Sequence, residues 1–307
     1  MQPDLIALGE PMIEFNQRTD GGAGNWRMGH GGDTSNSAIA AARQGAKVGY
    51  LTALGADDFG DEMMRLWQAE GVDAARVIRN PAAHTGVYFV AHGPNGHSFS
   101  YLRAGSAASR MQPEDLPADY IAGAKILHVS GISQAISASA CDTVFAAIAI
   151  ARQAGVQVSY DTNLRLKLWP LARARAISTA TVPQCDILLP SLEDAEALTG
   201  LTDPDAIIDH YLSAGARLVV LKMGKAGAIL ATPDSRDPVP GRVVQAVDAT
   251  GAGDTFDGAF LARLLAGDAP LEAARFANAA AALSTTGVGA VAPMPTEAAV
   301  RDFICQS

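Results

Sequence analysis

The segment Gly251-Ala252-Gly253-Asp254 carries the clearest chemical content in this chain. Its two glycines permit a tight backbone turn. Phe256, Phe260, Leu261, Leu264 and Leu265 follow at the spacing of an amphipathic helix. A turn of this kind before a helix leaves N–H groups unpaired at the positive end of the helix dipole, where anions are stabilised. Asp254 beside such an anion hole could take the proton of a hydroxyl as its oxygen attacks a phosphoryl group. It could equally cap the helix, since aspartate is favoured at N-caps, and the four residues alone leave both readings open. Two other glycine-loop chemistries are excluded. Gly251-x-Gly253 lacks the third glycine of a dinucleotide fingerprint and lies late in the chain, and no glycine precedes Lys-Ser/Thr at P-loop spacing.

A second set is cationic. Arg103 ends one expected strand, and Arg165 follows another that ends near Tyr160. Both can reach the cleft outside the C-terminal edge of an open α/β sheet, where ligands of such folds bind. A guanidinium offers a carboxylate two directed N–H bonds, so the pair suits an acidic substrate better than a neutral one. His30, His84, His92 and His97 lack metal-ligand spacing, and His128 reads as a satisfied core histidine. Cys141, Cys185 and Cys305 are too scattered for a disulfide framework or a zinc site, and read as reduced thiols of a cytoplasmic protein.

The elements that must position these residues follow a repeating rhythm. Leu5–Leu8, 48–54, 125–129, 156–160, 187–189 and 218–221 are apolar runs of strand length, and 243–247 adds a strand before the glycine turn. Helical patterns cover 35–44, 58–70, 137–153, 192–198, 204–214, 255–266, 271–286 and 296–304, several ending at glycine. The alternation argues for an α/β fold: one domain with a doubly wound, mostly parallel sheet and helices on both faces. Residues 10–34 and 85–103 break the rhythm. The second reads as a hairpin, 87–91 and 98–102, turning at Gly93-Pro94-Asn95-Gly96. Together they would form a small β-lid, with an ordinary surface ribbon as the alternative.

Composition narrows the partners. Against 23 Lys plus Arg stand 32 Asp plus Glu in 307 residues, a net charge of −9, which argues against nucleic acid. No apolar run is long enough to span a bilayer, and the first residues lack the pattern of a secretory signal. A small anionic substrate stays open, because two or three local cations suffice for it.

With its flanks, Asp248-x-Thr250-Gly251-Ala252-Gly253-Asp254-x-Phe256 resembles the C-terminal signature of the ribokinase-like (PfkB) carbohydrate kinases. Gly31-Gly32-x-x-x-Asn36-x-Ala38 resembles that family's first glycine motif, and Leu54-Gly55-x-Asp57-x-x-Gly60 the helix entry after it. The resemblance runs in order from Gly9 to about Pro293. It implies a ribokinase-like fold with a β-lid, and phosphorylation of a sugar hydroxyl from ATP with Mg2+. Asp254 would be the base, and the backbone of Gly251, Ala252 and Gly253 the anion hole. Gly32, Asp33, Asn36, Tyr88, Tyr101, Arg103 and Arg165 would hold the sugar. Ser191, Lys222, Gly224, Gly227 and Asn278 would line the nucleotide site. Ser191-Leu192-Glu193-Asp194 stands where the family has Asn-x-x-Glu, so Asp194 would organise magnesium indirectly. Asp248 would lie near a monovalent cation such as K+. The lid of such proteins often pairs between subunits, which implies a homo-oligomer.

Within the family, Gly31-Gly32-Asp33-Thr34-x-Asn36 looks like the version found in kinases of 2-keto-3-deoxygluconate, as do 101–108 and 128–133. The segment 161–169 has counterparts in fructokinases too. A neutral-sugar kinase is therefore the alternative, and a non-catalytic sugar-binding protein on the same fold a second.

Overall fold

A computed structural model describes residues 2–18, 24–93 and 96–306. Strands β1 (Leu5–Leu8), β4 (Val48–Leu51), β9 (Ile126–Ser130), β10 (Gln157–Asp161), β11 (Ile187–Leu188) and β12 (Leu218–Lys222) run parallel in the main sheet. Strands β13 (Gly227–Ala231) and β14 (Arg236–Pro240) extend one side antiparallel, giving the order β14-β13-β12-β11-β10-β9-β1-β4.

The apolar runs are continuous because both faces of this sheet are covered. Leu5 and Ala7 of β1 enter one core with Tyr50, Ile126 and Val220, whereas Ile6 and Leu8 enter the other with Leu127, Val158 and Val219. Helices Asp33–Arg43, Ala252–Leu265 and Pro270–Ser284 cover the first face. Helices Ala138–Gln153 and Pro204–Ser213 cover the second. Ala277, Ala279 and Ala280 are fully buried, so the alanine-rich stretch is packing surface.

A second sheet stands apart, with the order β3-β2-β7-β8. It is built from β2 (Met12–Gln17), β3 (Trp26–Gly31), β7 (Gly86–Gly93) and β8 (Gly96–Leu102). The expected hairpin is therefore present, with Tyr88 opposite Tyr101; Pro94 and Asn95 of its turn lie outside the described residues. The expected strand over 48–54 splits. Its second half, β5 (Ala53–Gly55), leaves the main sheet and pairs with β6 (Ile78–Asn80).

Residues 243–247 are not a strand. Val243 is 99% exposed and the segment has no neighbouring strand, so its β-branched side chains have nothing to pack against. Strands β13 and β14 and the helix Leu171–Thr181 were not expected from the sequence, and all lie in stretches of weak apolar periodicity.

Candidate active site

Gly251 adopts φ 75° and ψ 5°, a left-handed conformation costly for other residues, and it, not Asp254, is the N-cap of the Ala252–Leu265 helix. Thr255 N–H makes the first full-turn bond, to the Gly251 carbonyl at 2.8 Å. The amides of Gly253 and Asp254 precede it and stay available at the positive end of the helix. Asp254 sits in the first turn and does not cap the helix, which removes the capping reading of the motif.

The helix Asp33–Arg43 brings the partners of Asp254. The two helices touch where Gly258 lies against the Ser37 carbonyl and Ala40, a place where any Cβ would overlap. That close approach sets Asn36 Nδ2 2.7 Å from Asp254 Oδ2, as its donor. Asp33, fully enclosed, accepts a hydrogen bond from Ser130 Oγ. Desolvation pushes the Asp254 carboxyl up to about 7, and Asp161 and Asp33 add to the rise against the Asn36 bond. Desolvation likewise takes Asp33 up to about 6, opposed by its bond from Ser130. Among the described residues Asp33 Oδ1 and Asn36 Oδ1 are buried acceptors without a partner, so the cleft floor offers hydrogen-bonding capacity to a ligand.

Arg103 is not the free guanidinium that its place at the end of a strand implied. It is buried, with Nε donating to Glu10 Oε2 at 2.8 Å and Nη2 2.5 Å from the same oxygen. Nη2 nevertheless lacks a well-directed hydrogen bond. Glu10 also accepts from Ser106 Oγ, so this buried carboxylate is fully engaged. Tyr88 is turned inward and donates to Glu14 Oε2 at 2.5 Å. Tyr101 stacks on Tyr88 with ring centroids 6.0 Å apart, making the pair cross-strand packing partners as well as sugar-side candidates. Arg165 is exposed, its Nη1 donating to the Leu164 carbonyl at 2.8 Å. Gly32 is the N-cap of the Asp33–Arg43 helix, with φ 113°. Glu10 and Glu14 were missed from the sequence. Their signal was present as two carboxylates interrupting the apolar run 10–15.

The nucleotide-side candidates are more dispersed. Lys222 ends β12 with Nζ 2.8 Å from Asp257 Oδ1 and 3.4 Å from Asp161 Oδ2. Ser191 caps the Leu192–Thr199 helix, accepting from Asp194 N–H at 3.1 Å. Asp194 accepts from Leu164 N–H at 3.1 Å; desolvation, then Asp161, raises its carboxyl. Among the described residues no three metal-ligating side chains converge.

Gly224 lies in an exposed turn, and Gly227 is pressed against the Val239 carbonyl at the start of β13. Asn278 is buried, donates to the Pro240 carbonyl at 2.7 Å, and walls a cleft of about 210 Å3 with Val239, Arg242 and Arg275. Asp248 accepts from Thr250 and from Gly289 N–H, lacing the 248–250 turn to the 285–289 loop. His128 is buried beside Ser159, and desolvation lowers it to about 4, so it is a neutral core histidine.

The pfkB family carbohydrate kinase model matches residues 2–297. A 2-dehydro-3-deoxygluconokinase of Bacillus subtilis is 33% identical, over 99% of this chain and 96% of its own. Fructokinase-1 of Zea mays is also 33% identical, over 98% and 97%. A crystal structure of a ribokinase II from E. coli, in complex with ATP and Mg2+, superposes with TM-score 0.92 at 25% identity, covering 99% of this chain and 100% of that one. The fold is ribokinase-like, and the acid kinase and the fructokinase stand equally near in sequence. The chain belongs to the pfkB family of carbohydrate kinases.

Proposed function

We propose that the protein transfers the γ-phosphoryl of ATP to the 6-hydroxyl of 2-dehydro-3-deoxy-D-gluconate, giving the 6-phosphate and ADP. The observation that carries the phosphotransferase reading is Asp254. It is a carboxylate titrating at about 7, held by Asn36 beside the open amides of Gly253 and the first helical turn. It accepts the hydroxyl proton as the oxygen attacks the γ-phosphorus in line and the bond to ADP breaks. The Gly251–Gly253 turn meets the charge on the transferring group through the open amides of Gly253 and Asp254, since the Ala252 N–H donates to the Ala249 carbonyl at 3.2 Å, with the Lys222 ammonium nearby. Asp194 would help to hold magnesium, which when bound would neutralise phosphate charge. Asn278 and the cleft beside it take the base, flanked by Gly224 and Gly227, and the Asp248 loop takes a monovalent cation. The β2-β3-β7-β8 sheet acts as a lid that keeps competing water out.

The acid is favoured over a neutral sugar by Arg103, whose Nη2 has hydrogen-bonding capacity that Glu10 does not use, and by the exposed Arg165. Gly32, Asp33 and Asn36 meet the hydroxyls, and Tyr88 and Tyr101 the keto end. Fructose is the second reading, supported by the equal identity to the Zea mays enzyme. A panel of sugars scored by ADP release tests both. Turnover of the keto-deoxy acid at least about a hundredfold above fructose is expected, because a substrate that leaves buried polar groups unpaired is strongly rejected. Fructose as the better substrate overturns the acid. No ADP release with any sugar would favour the sugar-binding protein.

The protein works as a cytoplasmic homo-oligomer in this reading. Its three cysteines are unpaired, and no described helix is long and apolar enough to cross a membrane. The outer strands of the lid expose Trp26 and Met28 on one edge and Phe99 and Leu102 on the opposite one, apolar surface that a second copy would cover. Light scattering that returned the monomer mass at working concentration would refute this.

A further inference from the structure

Beneath the first turn of the Ala252–Leu265 helix lies a charged cluster with no part in the sugar contacts. Asp257 stands one turn beyond Asp254, completely buried between Phe256 and Ala259. An aspartate at such a position is rare unless a partner holds it, and an apolar residue would pack there at less cost. The partner is Lys222, whose Nζ is gripped by both carboxylate oxygens, at 2.8 and 3.0 Å, with Asp161 Oδ2 behind it at 3.4 Å. The ammonium also abuts the anion site, lying 3.7 Å from where a Cβ on Gly253 would stand. Burial and the neighbouring Asp161 raise the Asp257 carboxyl, and the Lys222 ammonium opposes the rise.

We propose that Asp257 is a positioning residue for phosphoryl transfer, fixing the Lys222 ammonium beside Gly253 before the nucleotide arrives. Lysine carries its charge on a flexible four-carbon stem, and much of that freedom must be lost before the charge can act at one point. A two-oxygen clamp removes it during folding. The charge then adds to the positive end of the helix where the transferring phosphoryl gathers negative charge, without reorganisation during the reaction. This inference rests on the reading of Gly251–Gly253 as the phosphoryl site.

The test compares Asp257→Asn, Lys222→Met and the double variant, on whichever sugar the wild type phosphorylates best. Asp257→Asn should lower kcat about tenfold or more while sugar KM stays within about twofold, since only the placement of charge is disturbed. Lys222→Met should lose at least as much, and the double variant no more than Lys222→Met alone, because both changes remove one device. A wild-type kcat for Asp257→Asn, or a double variant that multiplies the two losses, overturns the proposal. If Asp257→Asn does not fold, Lys222→Met/Asp257→Leu removes the buried pair as a unit and carries the same comparison. A wild type that releases no ADP with any sugar overturns the underlying reading as well, whereas an active wild type matched by its variants overturns this inference alone.

Discussion

At the sugar end of the cleft, Asp33, Asn36, Glu10 and Arg103 are all buried, while at the nucleotide end Gly253, Val243 and Val247 stand exposed. The first region has absorbed its costs during folding. It holds two orphaned acceptors, a desolvated carboxyl at about 6 and a buried ion pair. The second gathers its buried charge in one cluster, Lys222 with Asp257 and Asp161. Around that cluster it offers the open amides of the first helical turn and a loop satisfied within itself, as Asp248 is by Thr250 and Gly289. The difference locates discrimination. A ligand that fails to satisfy buried polar atoms is rejected strongly, whereas one that meets exposed amides is held mainly by charge and shape. In the proposed reading, selectivity therefore belongs to the sugar end, while the exposed loop of the nucleotide end is completed by the nucleotide around the preset Lys222 cluster.

Asp254 joins the two regions, and replacing it should give the largest effect. Asp254→Asn keeps the size of the side chain and an acceptor for Asn36, yet should lower kcat about a thousandfold, within the range of a lost general base. The base works only when ionised. Wild-type kcat/KM should thus climb as pH rises toward about 7 and level off above it. The same shift has a cost in stability. A carboxyl whose folded pKa is raised stabilises the native state below its unfolded value, and that contribution is lost as pH rises through the folded one. Asp254→Asn should accordingly melt higher than wild type at about pH 8 and nearly level with it at about pH 4, where both side chains are neutral in the folded protein. A variant that melts lower than wild type at both values would break the contrast, because Asp254 would then be supporting the fold and not straining it.

What could be read from the sequence divides along the same line. Gly251, Gly253 and Asp254 were legible because a glycine turn before a helix has chemical meaning within a few residues. The parallel strands were legible because burial on both faces leaves uninterrupted apolar runs. The hairpin register was legible because its turn residues fix which side chains face each other. Glu10, Glu14 and Asp257 were not, since their meaning comes from partners far along the chain: 93 residues separate Glu10 from Arg103, and 74 separate Glu14 from Tyr88. Arg103 was read as a free guanidinium because its counter-ion Glu10 is invisible locally. Residues 243–247 erred the other way. Their valines have strand propensity, but no strand lies beside them to realise it.

Asn278 provides the smallest and most specific test of the contrast. It is one of the few buried polar groups at the nucleotide end, and its amide donates to the Pro240 carbonyl across the cleft that holds Arg242 and Arg275. Asn278→Ala removes one neutral hydrogen bond, worth about 1 kcal/mol, from the wall of that cleft. If this end is shaped chiefly by the nucleotide, the loss should appear as an ATP KM raised by about fivefold, with kcat and the sugar KM unchanged. A fall in kcat instead would mean that the wall must be in place for the chemical step. The nucleotide end would then be as preorganised as the sugar end, and its exposed loop would no longer separate the two regions.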